Sequence, residues 1–526
     1  MSTWDFVIVG SGFGGSVSAL RLVEKGYRVL LLEKGKRFAP SDFPETNWDL
    51  KRWLWLPALG FHGLFKMTFF PHVTALSGVG VGGGSLVYAN TLPIPEDEFF
   101  RAGPWAGLAD WKRELEGHYA TVRRMLGAVE NPLSTLPDQV LKEIGEELGR
   151  PHTPTTVAVH FGAPGVTVDD PYFGGQGPKR TGCTSCGGCM LGCRVGAKNT
   201  LDQNYLYLAE RKGLTLLAES EVTLVAPAEG GGYEVEASVG LFPALKETKR
   251  FKAKNVVFAG GVLGTVPLLL ELKANEKALP NLPAALGRYV RTNSESLIGV
   301  TTRNPKLDLS KGIAIGSILQ TDAHSHLEPC RYPEGAGFFR WLGAPPAGAG
   351  SLAGRLWRVA KETLRHPLSV AKAYAVKDWA KSTIILLYMR TLDGHLTLKR
   401  AKGPWKAFSA LTTVLESGPR PTSDIPEAEA LARKVAQKVD GQPMTLLTET
   451  LGGIPTTAHI LGGACIGESP ETGVVDAQHR VFGHPGLYVI DGSAGPANPG
   501  VNPSLTIAAL AERAMTFIPP KEQPEV

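Results

Sequence analysis

The first 35 residues constrain the fold more than any other stretch. Phe6-Val-Ile-Val9 is a short, wholly apolar run, the pattern of a parallel strand buried on both faces. It leads directly into Gly10-Ser-Gly12-Phe-Gly-Gly15 and then a helical pattern through Leu20, Leu22 and Val23. A second apolar run, Val29-Leu-Leu-Leu32, closes on Glu33. Strand, glycine-rich turn, helix and strand in this order form a βαβ unit suited to a dinucleotide. Its glycines serve a tight turn, backbone approach to a pyrophosphate and close helix–strand packing, with the positive helix end facing the phosphates. Gly10, Gly12, Phe13, Gly14 and Gly15 are therefore binding candidates. Glu33 lies about 20 residues on, where an acidic side chain accepts from ribose hydroxyls. FAD and NAD share this pattern, so the rest of the chain must separate them.

A chain of 526 residues exceeds one ordinary core, so two or more connected domains are expected. The net charge of +5, from 55 basic and 50 acidic residues, is too mild to argue for nucleic acid. The first strand begins so near Met1 that no signal peptide fits, which makes a cytoplasmic location the expectation. Trp53–Phe70 is the most apolar window, but Pro57, His62 and Lys66 interrupt it. It reads as a buried or surface-lying segment rather than a membrane span.

Ser77-Gly-Val-Gly-Val-Gly-Gly-Gly-Ser-Leu-Val-Tyr88-Ala-Asn90 is dense in glycine. Without Cβ bulk, backbone N–H groups can reach a bound cofactor, so Gly78, Gly82, Gly83, Ser85 and Asn90 join the candidates; a surface loop is the plain alternative. Glu96–Leu148 reads as mostly helical, and so does Asn199–Lys212. Leu214–Val225 reads as a strand, Tyr233–Val239 with Thr248–Ala253 as a hairpin, and Asn255–Gly261 as a further buried strand. These segments return the chain to the nucleotide sheet and bring Val222 and Gly260 to the cofactor. Gly312–Leu319, Ser382–Leu392 and His395–Lys399 read as strands, with Asp393-Gly394 as a tight hairpin between the last two.

The C-terminal part is the most informative. His459-Ile-Leu-Gly-Gly463 is followed by Tyr488-Val-Ile-Asp491-Gly-Ser493 and by Gly500-Val-Asn502-Pro503, which opens a helix through Ala508, Glu512 and Arg513. Pro503 suits the first helical position, and the positive end of that helix would stabilise an anionic reduced flavin. With the turn Gly10–Gly15, the Gly78–Asn90 loop and Ala197-Lys-Asn-Thr200, these motifs resemble the glucose-methanol-choline (GMC) family of FAD oxidoreductases. The resemblance is closest to its cholesterol-oxidase-like branch, and residues 290–440 match only loosely.

The resemblance implies an α/β protein: a Rossmann-like FAD-binding domain interleaved with a substrate domain built on a mainly antiparallel sheet. The expected parts are 1–95, 181–290 and 441–526 for FAD, and 96–180 and 291–440 for substrate. It also implies oxidation of the hydroxyl of a bulky, apolar, sterol-like alcohol, with hydride passing to flavin and oxygen as acceptor. Carried over residue by residue, His459 matches the active-site histidine and Asn502 its partner. A neutral imidazole can take the hydroxyl proton while an amide orients the hydroxyl. Asp491, Gly492, Asn502 and Pro503 are matched to the flavin site. Glu328, in His-Leu-Glu-Pro-Cys-Arg-Tyr, is matched to the carboxylate that moves a steroid double bond, against the alternative of a solvated loop glutamate.

Cys183, Cys186, Cys189 and Cys193 are spaced C-x2-C-x2-C-x3-C, like a bacterial ferredoxin run, although Arg194 stands where proline is usual. An iron–sulfur cluster, zinc or plain structural thiols are the readings; Cys330 and Cys465 read as buried thiols. Arg340–Lys381 holds eight Lys or Arg against two acids, with Leu352, Leu356, Val359 and Leu364 at near-helical spacing. Peripheral membrane contact and an ordinary solvated helix are the two readings. One rival function is a dehydrogenase passing electrons through the cluster to a quinone or an electron-carrier protein. Another is a flavin-containing lipid carrier without turnover.

Overall fold

The computed structural model describes residues 3–242, 245–392, 394–401 and 411–522. Its opening strand, Trp4–Val9, pairs in parallel with Val29–Leu32 on one side and Glu247–Phe258 on the other. Phe6, Val7 and Ile8 are buried, as a central strand covered on both faces requires. Thr215–Leu217 and Leu487–Val489 add further parallel pairings. Antiparallel Tyr233–Val239 and Ser220–Pro227 complete a seven-stranded sheet among the described residues.

Glu247–Phe258 serves two patterns. Its first half closes the expected hairpin with Tyr233–Val239, and its second half is the parallel neighbour of the opening strand. The run read as one strand over Leu214–Val225 is broken into two, because Glu219 adopts φ 55° between them. Trp53–Phe70 forms short strands, Trp55–Leu56, Phe61–His62 and Phe65–Phe69. No helix among the described residues is long and apolar enough to cross a membrane.

Among the described residues a second sheet has seven strands and is antiparallel throughout. At its centre, Ser296–Thr302 pairs with Thr383–Arg390, and side chains alternate between faces as strand geometry dictates. Ile298, Val300, Ile384 and Leu386 pack beneath the helices Leu136–Leu148 and Pro426–Val439. Leu297, Gly299, Ile385 and Leu387 face the opposite way, into a cavity. The sheet is therefore a floor with its own core underneath.

The expected Asp393-Gly394 hairpin does not join its flanking strands to each other. Thr383–Arg390 lies inside the seven-stranded sheet, whereas His395–Arg400 pairs with Leu411–Ser417 in a separate ribbon; Asp393 itself is outside the described residues. That strand is hydrogen-bonded on both edges, to Ser296–Thr302 and to Ser325–Cys330, and this pairing outweighs a local turn signal. Likewise the strand expected over Gly312–Leu319 begins only at Ser317.

Candidate active site

A cavity of about 860 Å³ runs from the carboxyl ends of the parallel strands to the floor of the antiparallel sheet. Gly10, Gly12, Phe13, Gly14, Glu33, Gly78, Gly83, Val222, Gly260, Asp491, Gly492, Asn502 and Pro503 all line it. Gly15, Gly82, Ser85 and Asn90 do not, and stand behind the wall. Gly15 is there for packing, since a Cβ would strike the Gly10 carbonyl. Gly82 donates its N–H to Ser11 Oγ at 3.0 Å, and Ser85 Oγ bridges Gly82 O and Leu201 N at 2.7 and 3.0 Å. Asn90 is buried with φ 71°.

The glycine-rich end fits a dinucleotide. Gly10 needs its φ of 102°, and a Cβ there would lie 2.6 Å from Ala259 O. A Cβ on Gly12 would meet nothing closer than 3.9 Å, which leaves its backbone open to approach. Glu33 Oε2 accepts from Ser11 N and Oγ at 3.0 and 2.7 Å, and Oε1 accepts from Gly35 N at 2.8 Å. Each carboxylate oxygen has two acceptor sites, so capacity for a ribose hydroxyl remains. Asp491 takes Gly261 N at 2.8 Å, Thr265 Oγ1 at 2.5 Å and Ser493 N at 2.8 Å, with Ser493 Oγ as a further donor. Burial raises its pKa against the pull of these donors. Its work is to tie the loop after Phe258 to the loop before the last helix.

The reactive groups meet where this end reaches the apolar floor. Thr456–Thr457 pairs beside Thr74–Gly78, which delivers His459 to the wall. Asn502 stands at the mouth of the helix Ser504–Thr516, with Pro503 one residue ahead of the helix as its cap rather than inside it. Asn502 Nδ2 lies 3.2 Å from His459 Nε2 and 3.4 Å from Glu328 Oε2. Asn502 Oδ1 is a buried acceptor with no partner among the described residues, which fits a site completed by a bound molecule.

Glu328 is not a solvated loop residue. It lies in the strand Ser325–Cys330 with 0% of its surface exposed, and His326 Nε2 is 3.4 Å from its Oε1. Both faces of that strand are covered, which a short run interrupted by Pro329 did not foretell. Glu295, absent from the sequence candidates, accepts from His459 Nδ1 at 2.9 Å and lines the cavity. Nothing near it in Thr292-Asn-Ser-Glu-Ser296 follows a motif; only the neighbouring strand's register brings it to the histidine. Burial alone would lower the His459 pKa, but the Glu295 carboxylate, helped by Glu328, carries it above the ordinary 6.5.

Cys183, Cys186, Cys189 and Cys193 are not drawn together as ligands. Among the described residues no group of three or more His, Cys, Asp or Glu side chains is placed to hold a metal ion. Cys186 is exposed, and Cys189 packs with Val157, Ala197 and Ile313. Cys183 and Cys193 accept N–H bonds from Ser185 and Lys198, each at 3.4 Å. Burial pushes the Cys183 thiol up to about 12. The spacing instead wraps the chain around Lys198, whose Nζ donates to Leu86 O, Tyr88 O and Cys189 O at 2.9, 3.3 and 2.7 Å. Cys330 and Cys465 are buried, as expected.

Comparison with known proteins agrees with this geometry. Residues 401–511 match the model of the GMC oxidoreductase family, and residues 8–76 match that of the NAD(P)-binding Rossmann-like domain. The chain is 44% identical over 534 residues to a cholesterol oxidase of Acinetobacter baumannii, covering 98% of this chain and 95% of that protein. It is 44% identical over 533 residues to a cholesterol oxidase of Mycobacterium tuberculosis, covering 98% and 91%. The crystal structure of pyridoxine 4-oxidase from Mesorbium loti superimposes with a TM-score of 0.64 at 17% identity, over 98% of this chain and 99% of that one. That likeness shows the shared fold.

Proposed function

The chain belongs to the GMC oxidoreductase family, in its cholesterol-oxidase-like branch, and from that premise we propose that it oxidises the hydroxyl of a sterol-like alcohol to a ketone, with oxygen as the electron acceptor. The protein is an FAD-dependent oxidoreductase acting on CH–OH donors. One observation carries the substrate reading. His459 and Asn502 line a cavity to which the antiparallel sheet contributes the apolar side chains of Leu297, Ile385 and Leu387, with Thr301 and Thr383 further along the same strands.

Bound FAD supplies the hydride acceptor. The residues that would hold it are the Gly10–Gly14 turn and Glu33 at the adenosine end, with Gly78, Gly83, Gly492 and Pro503 further along. His459 Nε2 takes the hydroxyl proton, and the Asn502 amide fixes the position of that oxygen. The apolar floor excludes water and holds a rigid ring system by its shape. The helix Ser504–Thr516 turns its positive end toward the cavity, where it favours developing negative charge.

The test is the visible spectrum of protein purified without oxygen, with iron assayed on the same sample, followed by addition of a 3-hydroxysterol. Flavin bands that bleach with sterol in the parent, stay unbleached in His459→Ala, and reappear in air with peroxide support the reading. Iron with an iron–sulfur shoulder would replace oxygen by a carrier and restore the dehydrogenase. Flavin that no alcohol bleaches in the parent would leave a lipid carrier.

A lipid surface is the source of substrate we favour. What supports it is the helix Leu352–Arg365, which buries no residue. Leu352, Leu356, Trp357 and Leu364 are 57, 49, 66 and 76% exposed. The helix is amphipathic, as its sequence suggested, but its apolar stripe faces away from the protein. Lys361 and Arg365 flank the stripe, and the next helix, Pro367–Ala375, contributes Ala373 to the cavity wall.

A further inference from the structure

We propose that Glu295 is a positioning residue for the oxidation: its carboxylate holds His459 in the tautomer with the proton on Nδ1, leaving Nε2 as the base that faces the alcohol. The proposal rests on the reading of His459 as that base.

Two ends of one hydrogen-bond chain require the same tautomer. At one end, Asn502 lies against Glu328 Oε2 at 3.4 Å. The amide turns its NH2 to that oxygen, which accepts. The same NH2 is 3.2 Å from His459 Nε2, which must then accept and carry no proton. At the other end, Glu295 Oε2 is 2.9 Å from His459 Nδ1, and a carboxylate there needs a proton on that nitrogen. Turning the ring over or flipping the amide would set acceptor against acceptor at one end or both.

Glu295 is itself held rigidly. It is 1% exposed, and its Oε1 accepts from Ala458 N at 3.1 Å and from Thr457 Oγ1. Its strand, Ser296–Thr302, begins at the next residue, so its backbone is anchored in the antiparallel sheet while its head reaches the loop that carries His459. The chain Thr457–Glu295–His459–Asn502–Glu328 thus ties the substrate floor to the cofactor side of the cavity.

Chemically, Nε2 is placed to take the alcohol O–H proton, and FAD held in the cavity would supply the acceptor for the C–H hydrogen and its electron pair, so that a carbonyl results. The imidazolium produced lies against the Glu295 carboxylate, which stabilises it, as the raised His459 pKa reflects. The other titratable groups around this chain are Glu328, His326 at 3.4 Å from it, Cys330 and Glu449. Burial pushes Glu449 up to about 8 and holds the Cys330 thiol well above its ordinary value. The Cys330 thiol therefore stays protonated across the acid limb of the rate profile.

The experiment uses the FAD-loaded full chain with a 3-hydroxysterol. The nitrogen-15 shifts of the His459 imidazole in the parent, assigned by comparison with His459→Gln, report the tautomer directly. A protonated Nδ1 with a bare Nε2 is expected, and the reverse would overturn the proposal. Rapid-reaction flavin reduction is then followed against pH. In the parent the rate rises with pH through the His459 pKa. In Glu295→Gln the limb moves to lower pH and the plateau falls by roughly tenfold or more, within the range a positioned base contributes. Glu295→Asp, which keeps the charge, returns the limb toward its parental position. An unmoved limb in Glu295→Gln with full FAD content would overturn the proposal. Undiminished flavin reduction in His459→Gln would instead overturn the reading of His459, so the two failures are distinguishable.

Discussion

At the scale of single residues, the site is a set of polar groups made exact by burial. Glu328, His459, Asn502 and Glu295 are each less than one-tenth exposed, and a half-satisfied polar network in such surroundings is costly. The motifs around His459 and Asn502 were legible because both sit beside glycines and prolines that only a constrained backbone needs. Glu328 was reached only through the family resemblance and Glu295 was not reached at all, since a glutamate before a strand or inside one carries no local mark. Glu328 bonds Asn502 and not His459, so the oxidation depends on it less than on the histidine. Glu328→Gln is expected to retain flavin reduction by sterol within about tenfold while losing formation of the conjugated enone, read from its ultraviolet band. Equal loss of both would make Glu328 part of the oxidation itself.

At the scale of elements, the glycine turn and the exposed helix make opposite demands. The turn has no room for a side chain at Gly10, Gly14 or Gly15: a Cβ at Gly14 would strike the carbonyl oxygen of Ile490, next to Asp491. Gly14→Ala is therefore expected to destabilise the fold by about 1–3 kcal/mol and to lower the fraction of chain that keeps FAD. Melting temperature and the ratio of flavin to protein absorbance check this. The helix Leu352–Arg365 leaves its apolar stripe uncovered. An anionic bilayer answers both the exposed leucines and the flanking charges. Leu356→Ser with Trp357→Ser should weaken sedimentation with anionic vesicles several-fold and leave turnover of detergent-dispersed sterol near parental. Unchanged vesicle binding would remove this helix from the lipid surface. Its amphipathic spacing could be read from sequence, but which side meets the protein could not.

At the scale of the whole molecule, two sheets enclose one cavity, and stability belongs to the joined pair. His479, on the nucleotide-sheet side, shows how the fold responds to acid. It is 1% exposed, bonded through Nδ1 to Val489 O at 2.8 Å, and burial pulls its pKa down to about 4. Its folded pKa lies below the unfolded value of 6.5, so the unfolded chain binds more protons between them. Stability from this residue is present above pH 6.5 and is lost as pH falls toward 4. His479→Asn, which keeps a donor and tolerates the φ of 65° there, should flatten that decline in denaturant titrations across pH 4 to 6.5. A decline as steep as the parent's would assign acid sensitivity elsewhere. The nucleotide half of the architecture follows from sequence alone. Its strands are buried on both faces and its turn needs glycine for steric reasons, so composition and order suffice. The cysteine spacing, the Asp393-Gly394 turn and the outward stripe mark what sequence could not decide. Each is a local pattern whose outcome depends on distant partners: Lys198 inside the cysteine loop, sheet neighbours for Thr383–Arg390, and the absence of a protein surface over Leu356 and Trp357 among the described residues. The placement of Glu295 against His459, 164 residues apart, is likewise a tertiary fact, because hydrogen bonding at that separation is set by packing and leaves no periodicity in the chain.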